Sequence, residues 1–471
     1  MGGLIAGLHI ALSGLQAQQA VMSVTANNVA NADNPNYALQ EIDLAPNPAY
    51  SPPALDQPHL PAEYGQGVTV AGVTREVSHF LQLQGWATGG QLGFSQEQAQ
   101  VLGQVQALLD EPSSNGLGNT LNQFWSSWQS LAANPQSTAA RTQVISAGQA
   151  LGSGFSTLSE GLTTLSNNLD ASVVSLVGQV NQVADQIATL NQQIGAAHAS
   201  GTSPNDLEDQ RDTLIATLSQ LVPVRVAWSA NGETTVTTGG VDMVAGNQVT
   251  QLVATPDPAN HNYHTLSWMG GGAADVSGGQ LGAMLTLRDQ TVPGYVAQLN
   301  TLAQNIASAV NGQQSAGADA SGQPVAGTAN ADFFSVPTGG LNASNLVVNQ
   351  ALVADPNELA AAANPSGGPG DGSNALAIAN LQNQAIVGVS TASGAYSALV
   401  GQVGTDTATA QSASAQQQTL QQSITNQQQQ VSGVSTDAEM TQMVEAQNAY
   451  AAAAKVTSTI DTMLGDLISM A

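Results

Sequence analysis

The apolar positions of this chain keep a helical period at both ends. Near the C-terminus, Met443, Ala446, Tyr450, Ala453, Thr457, Ile460, Leu464 and Leu467 recur at alternating steps of three and four. That is a heptad seam, and a helix that carries one needs a partner. Thr436 and Glu439 stand ahead of it at the spacing of a capping box. Near the N-terminus, Ile5, Leu8, Leu12, Leu15, Gln19, Met22, Ala26 and Val29 step in the same way. Gln19 is the one polar member, and a polar seam residue can fix register. The two stripes predict that the terminal helices pair as a coiled coil. The first helix should end near Asn31, because Asn34-Pro35-Asn36 cannot continue it.

Between the termini the period changes twice. Residues 43–63 are rich in proline and read as irregular or extended, and Gly67 to Val77 alternates like a strand. Helical spacing starts near Phe94 and runs to Leu109, and a second helix spans Asn119 to Leu131, stopped by Asn134-Pro135. The longest stripe runs from Leu151 through Phe155, Leu158, Leu162, Leu165, Leu169, Val173 and Leu176 to Ile194. Leu165, Leu169 and Val173 take two steps of four in succession, a stutter that locally unwinds a supercoil. As one helix, residues 151–194 would span about 65 Å at ~1.5 Å per residue. Another helix should end at Leu221. At Pro223 the period becomes two: Val224, Val226 and Trp228 alternate, Asn231-Gly232 is a hairpin turn, and Thr234 to Thr238 returns. Further strands are expected around Gln248–Ala254 and Tyr263–Trp268, then helix from Gly279 to about Asn311. Residues 312–374 read as loops and short strands anchored by Phe333-Phe334. Helix returns from Asn374 to Gln430; its Gln runs read as a solvated face, since Leu420 and Ile424 keep their spacing.

The expected fold is mainly α with an inserted β domain. Residues 1–36 and 431–471 would form a terminal coiled-coil assembly domain. Residues 37–222, 276–311 and 372–430 would form an elongated helical-bundle domain with a small β-hairpin region. Residues 223–275 and 312–371 would form a β-rich outer domain.

Charge narrows the function. Six Lys and Arg stand against 32 Asp and Glu, a net −26, so nucleic acid and anionic membranes should be repelled. Only 8% of residues are charged, and such neutral polar surfaces suit repeated self-contact. There is no Cys, which excludes disulfides, thiolate zinc sites and a Cys nucleophile. No apolar run approaches the roughly 18 residues of a membrane span, so no membrane insertion is expected. Leu4 to Leu15 could pass for a signal-peptide core, but no Lys or Arg precedes it and the heptad continues through it. A cleaved signal is therefore not expected, and any export would use another route. His261 and His264 with Asp257 have metal-like spacing but sit in an Asn/Pro loop without a metalloenzyme motif. No catalytic, cofactor-binding or metal residue is assigned, and the chain reads as a structural protein rather than an enzyme. A secreted hydrolase is the alternative from a different class, and an activity screen on culture supernatant separates the two.

The stretch from Ala26 to Tyr37, then Gln40, carries Asn27, Asn28, Asn31, Pro35 and Tyr37. It resembles the signature of the flagellar rod, hook and hook-associated proteins. Asn34 stands where Thr is usual, Asn36 where Gly is usual, and Leu39 where Arg is common in hook-associated members. Asn tolerates the left-handed conformation, which would let Asn36 replace Gly. Val70-x-x-Val73-x-Arg75 followed by Phe80-Leu81 is also similar to this family. So are the Trp pair with Ala-Ala-Arg141, Pro204-Asn-Asp-Leu-x-Asp-Gln-Arg-Asp212, and Gly279 to Asp289. The Pro204 block is the most specific. The resemblance implies the member at the junction between hook and filament, an adaptor for filament assembly. It implies type III export without cleavage and a place in the extracellular flagellum. It implies hook protein on one side, the next junction protein on the other, and a ring of its own copies. A cytoplasmic export chaperone would hold the C-terminal helix. Hook and distal rod subunits share the N-terminal signature; the Pro204 block and the length argue against them.

Overall fold

The computed structural model describes residues 2–48 and 65–470. Helix α1 (Gly2–Ala30) leads into an antiparallel ribbon of β1 (Gln40–Pro46) and β2 (Val68–Arg75). Of the proline-rich stretch, residues 49–63 lie outside the described residues. Then come α2 (His79–Leu109), α3 (Leu117–Ala133), α4 (Thr138–Ala199) and α5 (Asn205–Leu221). A four-stranded antiparallel sheet follows, β3 (Arg225–Trp228), β4 (Thr234–Thr238), β5 (Val241–Ala245) and β6 (Gln248–Val249), in that order. A hairpin of β7 (Leu252–Pro256) and β8 (His264–Trp268) completes the β region. The return path is α6 (Gly279–Thr286), α7 (Val292–Ala316), α8 (Gln350–Ala354), α9 (Ser373–Asn380), α10 (Ala392–Ser432) and α11 (Thr436–Met470).

α4 is the spine. Its 62 residues span about 93 Å at ~1.5 Å each. It starts at Thr138 rather than near Leu151, with Ser137 Oγ accepting from Ala140 N–H at 3.2 Å. Two hydrophobic cores lie along it. Val144 to Leu169 pack with α3, α7, α9 and α10, whereas Val173 to Ala188 pack with α5, α6 and the β strands. The stutter falls at this division: the second step of four carries the apolar stripe from one core to the other. Asp170 fills the gap. Its carboxylate accepts from Arg288 Nη1 at 2.6 Å and from His264 N–H at 2.7 Å, and pairs with His264 Nδ1 at 2.7 Å. His264 thus serves in a clamp between α4 and β8.

Sequence and structure part company where glycine or asparagine does the packing. α2 begins at His79, well before Phe94. Its first half was hidden because Gly85, Gly89, Gly90 and Gly93 occupy its packed face. A Cβ at Gly93 would collide with the carbonyl oxygen of Gln220, so α2 lies directly on the end of α5. The helix expected from Gly279 to Asn311 runs unbroken to Ala316 but widens into a π turn at Leu287–Thr291. Pro293 follows it and cannot fill a regular i→i−4 bond. β5 was unforeseen because its consecutive Met243 and Val244 are both buried, which breaks the period of two. The helix expected from Asn374 to Gln430 is two helices, with α10 starting at the Thr391 cap.

Residues 312–371 form no regular strand, contrary to expectation. They hold isolated bridges such as Phe334↔Val348, with short helical turns. Few β-branched residues alternate there, and asparagine side chains take over the ladder's role. Asn311 Nδ2 donates to Phe334 O and Phe334 N–H donates to Asn311 Oδ1, both at 2.8 Å. Phe333 and Phe334 are fully buried in the helical core, their rings 5.8 and 5.9 Å from Phe124. Phe333→Ala should therefore cost about 3–5 kcal/mol in denaturant unfolding. A loss below about 1 kcal/mol would show that this segment does not belong to the core.

Candidate assembly interface

α1 and α11 pair antiparallel. Gly7 faces Ile460, Gly14 faces Ala453, and Asn28 faces Glu439. On α11 the stripe read from spacing is the inward one. Ala446 and Ile460 are buried, and Met443, Ala453, Thr457 and Leu464 are half-buried. Tyr450 and Leu467 lie at its exposed edge. On α1 the expected stripe is displaced. Ile5 and Leu12, 48% and 46% exposed, face away from α11 with Gln19 and Ala26. Leu8, Leu15, Met22 and Val29 are half-buried on the flank. The contact line is Gly7, Ala11, Gly14, Thr25 and Asn28.

The reason is size. A Cβ added at Gly7 would lie 3.2 Å from Ile460 Cδ1, so only small residues let the helices approach this closely. A hydrophobicity reading selects large side chains and misses such a seam. The large side chains are left outside: Ile5, Ile10 and Leu12 on α1, and Met440, Val444, Val456, Met463 and Ile468 on α11. Monomers seldom leave so many large apolar groups uncovered on two paired helices.

The base of this pair is a polar joint. Asn28 is 1% exposed and uses its whole amide. Nδ2 donates to Gln40 O and to Glu439 Oε2, each at 2.9 Å. Oδ1 accepts from Tyr37 OH at 2.7 Å and from Gln40 N–H at 3.2 Å. Asn27 Nδ2 donates to the Tyr37 hydroxyl at 3.3 Å, and Asn31 Nδ2 donates back to Asn27 O at 3.0 Å. Pro35 sits at the exposed turn between them. Burial, then Asp206, Asp209 and Glu439, push the Tyr37 hydroxyl up to about 12, so it remains a donor at neutral pH.

The loop then docks on the start of α5. Ala38 N–H donates to Asp209 Oδ2 at 3.1 Å, and Gln40 Nε2 donates to Asp206 Oδ1 at 3.0 Å. Arg75, at the end of β2, lies among the acids of α5. Its Nη1 reaches Asp209 Oδ1 at 2.5 Å and Asp212 Oδ2 at 3.1 Å. Its Nε stands 2.9 Å from Glu208 Oε2, too bent for a hydrogen bond. The Pro204–Asp212 block is thus the socket that receives the loop.

Two readings of this region change. The α11 cap is Ser435, whose Oγ faces Ala438 N–H at 3.5 Å, and not Thr436. Glu439 turns inward to Asn28 instead of capping its own helix, so the capping-box reading concealed the carboxylate that joins the two termini. Asn36 is not left-handed: among the described residues positive φ outside glycine occurs at Asp110, His261 and Asn262. Leu39 contributes only main-chain bonds to the joint, donating to Ser432 O and accepting from Glu76 N–H, both at 2.8 Å. No ionic contact is needed at that position.

The few cations are spent internally. Arg75, Arg141, Arg211 and Arg288 are buried, leaving Arg225 and Lys455 exposed out of six basic side chains. Arg141 donates to the carbonyl oxygens of Pro135 and Leu359, and Arg211 to that of Gly232.

Three family models match, one on each part of this architecture. The helical domain of flagellar hook-associated protein FlgK matches residues 102–334. The flagella basal body rod protein model matches 8–37, and the C-terminal model of the flagellar basal body rod FlgEFG proteins matches 425–470. Flagellar hook-associated protein 1 of Bacillus subtilis (strain 168) is 28% identical over 503 residues, covering 98% of this chain and 97% of that protein. The Escherichia coli (strain K12) protein of the same name is 27% identical, covering 98% and 99%. Over nearly its whole length this chain is similar to flagellar hook-associated protein 1. The solved flagellar hook junction protein FlgK from Burkholderia pseudomallei shares the fold, with TM-score 0.63 and 21% identity over 74% of this chain and 100% of that one. The rod-protein match covers the signature loop and most of α1. The C-terminal match covers α11 and the end of α10. The family is structural and flagellar, and no described helix is long and apolar enough to cross a membrane.

Proposed function

We propose that this protein is the structural subunit that joins hook to filament and serves as the adaptor on which the filament assembles. The observation that carries this reading is the coincidence of a hook-associated helical domain with two rod-type terminal segments that pair on each other. The terminal pair is the assembly element. Its outward apolar side chains, led by Ile5 and Leu12, would be covered by neighbouring copies in a ring, by hook protein on one side and by the next junction protein on the other. The subunit would reach that place by type III export without cleavage, with a cytoplasmic chaperone holding α11 beforehand, and would act without catalysis. A strain lacking the gene should show hooks without filaments by electron microscopy, with unpolymerised flagellin in the medium. Loss of the hook itself would assign the chain to a hook or rod position, and normal filaments would refute the reading.

A further inference from the structure

On the α1 side, the seam with α11 is built of small residues whose contacts carry little direction. Among the described residues, one side-chain hydrogen bond crosses it, from Asn28 Nδ2 to Glu439 Oε2. Glu439 is 5% exposed, so its carboxylate depends on that donor. The donor faces α11 for a specific reason. Tyr37 OH and Gln40 N–H both donate to Asn28 Oδ1, which turns Nδ2 toward Gln40 O and Glu439. Were the amide rotated, Glu439 would meet an oxygen. The loop that carries Tyr37 and Gln40 is seated on Asp206 and Asp209, and Asp209 is in turn held by Arg75.

We propose that Glu439 is a positioning residue that makes docking of α11 onto α1 conditional on the folded signature loop. Glu439 reads the orientation of the Asn28 amide, and the amide reports whether the loop sits in its socket. The two ends of the chain therefore order together. This coupling acts in the isolated chain and holds whichever place in the flagellum the subunit takes.

The absence of cysteine makes a direct test possible. Gly14→Cys with Ala453→Cys places two thiols where the Cβ atoms stand 3.9 Å apart, within disulfide range. The rate of disulfide formation in the full-length monomer under mild oxidation then reads closure of the pair. Tyr37→Phe removes the hydroxyl that orients Asn28 and should slow closure roughly five- to tenfold, the factor for one lost buried hydrogen bond. With Glu439→Leu in the background, Tyr37→Phe should change the rate less than about twofold. Glu439→Gln, whose amide can accept from Asn28 Nδ2 or donate to a rotated Oδ1, should close the pair but lose most of its sensitivity to Tyr37→Phe. The proposal is overturned if Tyr37→Phe leaves closure unchanged with Glu439 present, or slows it equally with Glu439→Leu. Circular dichroism of each variant confirms that the helical body is folded, so a change in rate belongs to the terminal pair.

Discussion

Replacing Arg75 with Leu will open the joint between the terminal pair and the helical body. The Arg75 side chain is 5% exposed and reaches Glu208, Asp209 and Asp212, whose side chains are 11–16% exposed; Arg211 Nε stands farther off, 3.8 Å from Asp212, and His198 Nε2 is 3.2 Å from Glu208. Removing it leaves Asp209 with no ion-pair partner among the described residues, and Glu208 and Asp212 with only His198 and the more distant Arg211. Breaking a buried pair in this way costs about 3–5 kcal/mol, a large share of a stability of roughly 5–15 kcal/mol. Gln82 Nε2, which donates to Asp212 Oδ2 at 2.8 Å, is neutral and cannot compensate. The loss should appear as a lower denaturant midpoint for the part of the transition that reports residues 28–40 and 75–82.

The deficit will depend on pH with a definite sign. Burial and then Asp212 hold the Asp209 carboxyl above its ordinary value of 3.8 even with Arg75 present, against the pull of Arg75 and the Ala38 N–H. A raised carboxyl favours the folded state when protonated, so its unfavourable term vanishes below 3.8 and is complete above its folded value. Without Arg75 that folded value rises further. The stability difference between wild type and Arg75→Leu should be largest at neutral pH and shrink as pH falls toward 4. Adding Asp212→Asn should recover part of it at neutral pH. A constant difference across that range would mean that Arg75 acts by packing rather than charge.

Much of the architecture was legible because large apolar residues mark it. The α4 stripe and the change of period at Pro223 follow from Leu, Val and Ile spacing, and the inward face of α11 from a regular heptad of Met443, Ala446, Ala453, Thr457, Ile460 and Leu464. The stutter at Leu165, Leu169 and Val173 locates the boundary between the two cores. What stayed hidden depends on residues that hydrophobicity cannot rank. Gly7 and Gly14 look like weak points of a helix, yet they are where α1 meets α11. Gly85 to Gly93 conceal the first turns of α2 for the same reason. The socket acids Asp206, Asp209 and Asp212 lay inside the most specific family block, but nothing in their spacing pointed to Arg75, more than a hundred residues earlier. Glu439 fitted a local role well enough to mask its distant one.

The displaced α1 stripe also separates folding from assembly. Leu464 is half-buried against α1, so Leu464→Asp would weaken the pair itself. Leu12 is different: it faces outward in the monomer. Leu12→Asp should leave monomer stability within about 0.5 kcal/mol of wild type, as surface changes usually do. In an assembled ring the same position would be covered by another subunit. There it would forfeit the roughly 1.5–3 kcal/mol of a buried Leu and would bury an unpaired carboxylate as well. That loss recurs in every copy, so the effect on assembly should be close to all-or-none.

The most direct measurement is filament formation in a deletion strain complemented with Leu12→Asp, with the secreted protein quantified in the same cultures. Ala451→Ser, exposed on α11, serves as the control. The account predicts normal secretion, a monomer that unfolds like wild type, and hooks that carry no filaments, while the control strain swims. A secreted Leu12→Asp protein that supports full-length filaments would contradict it.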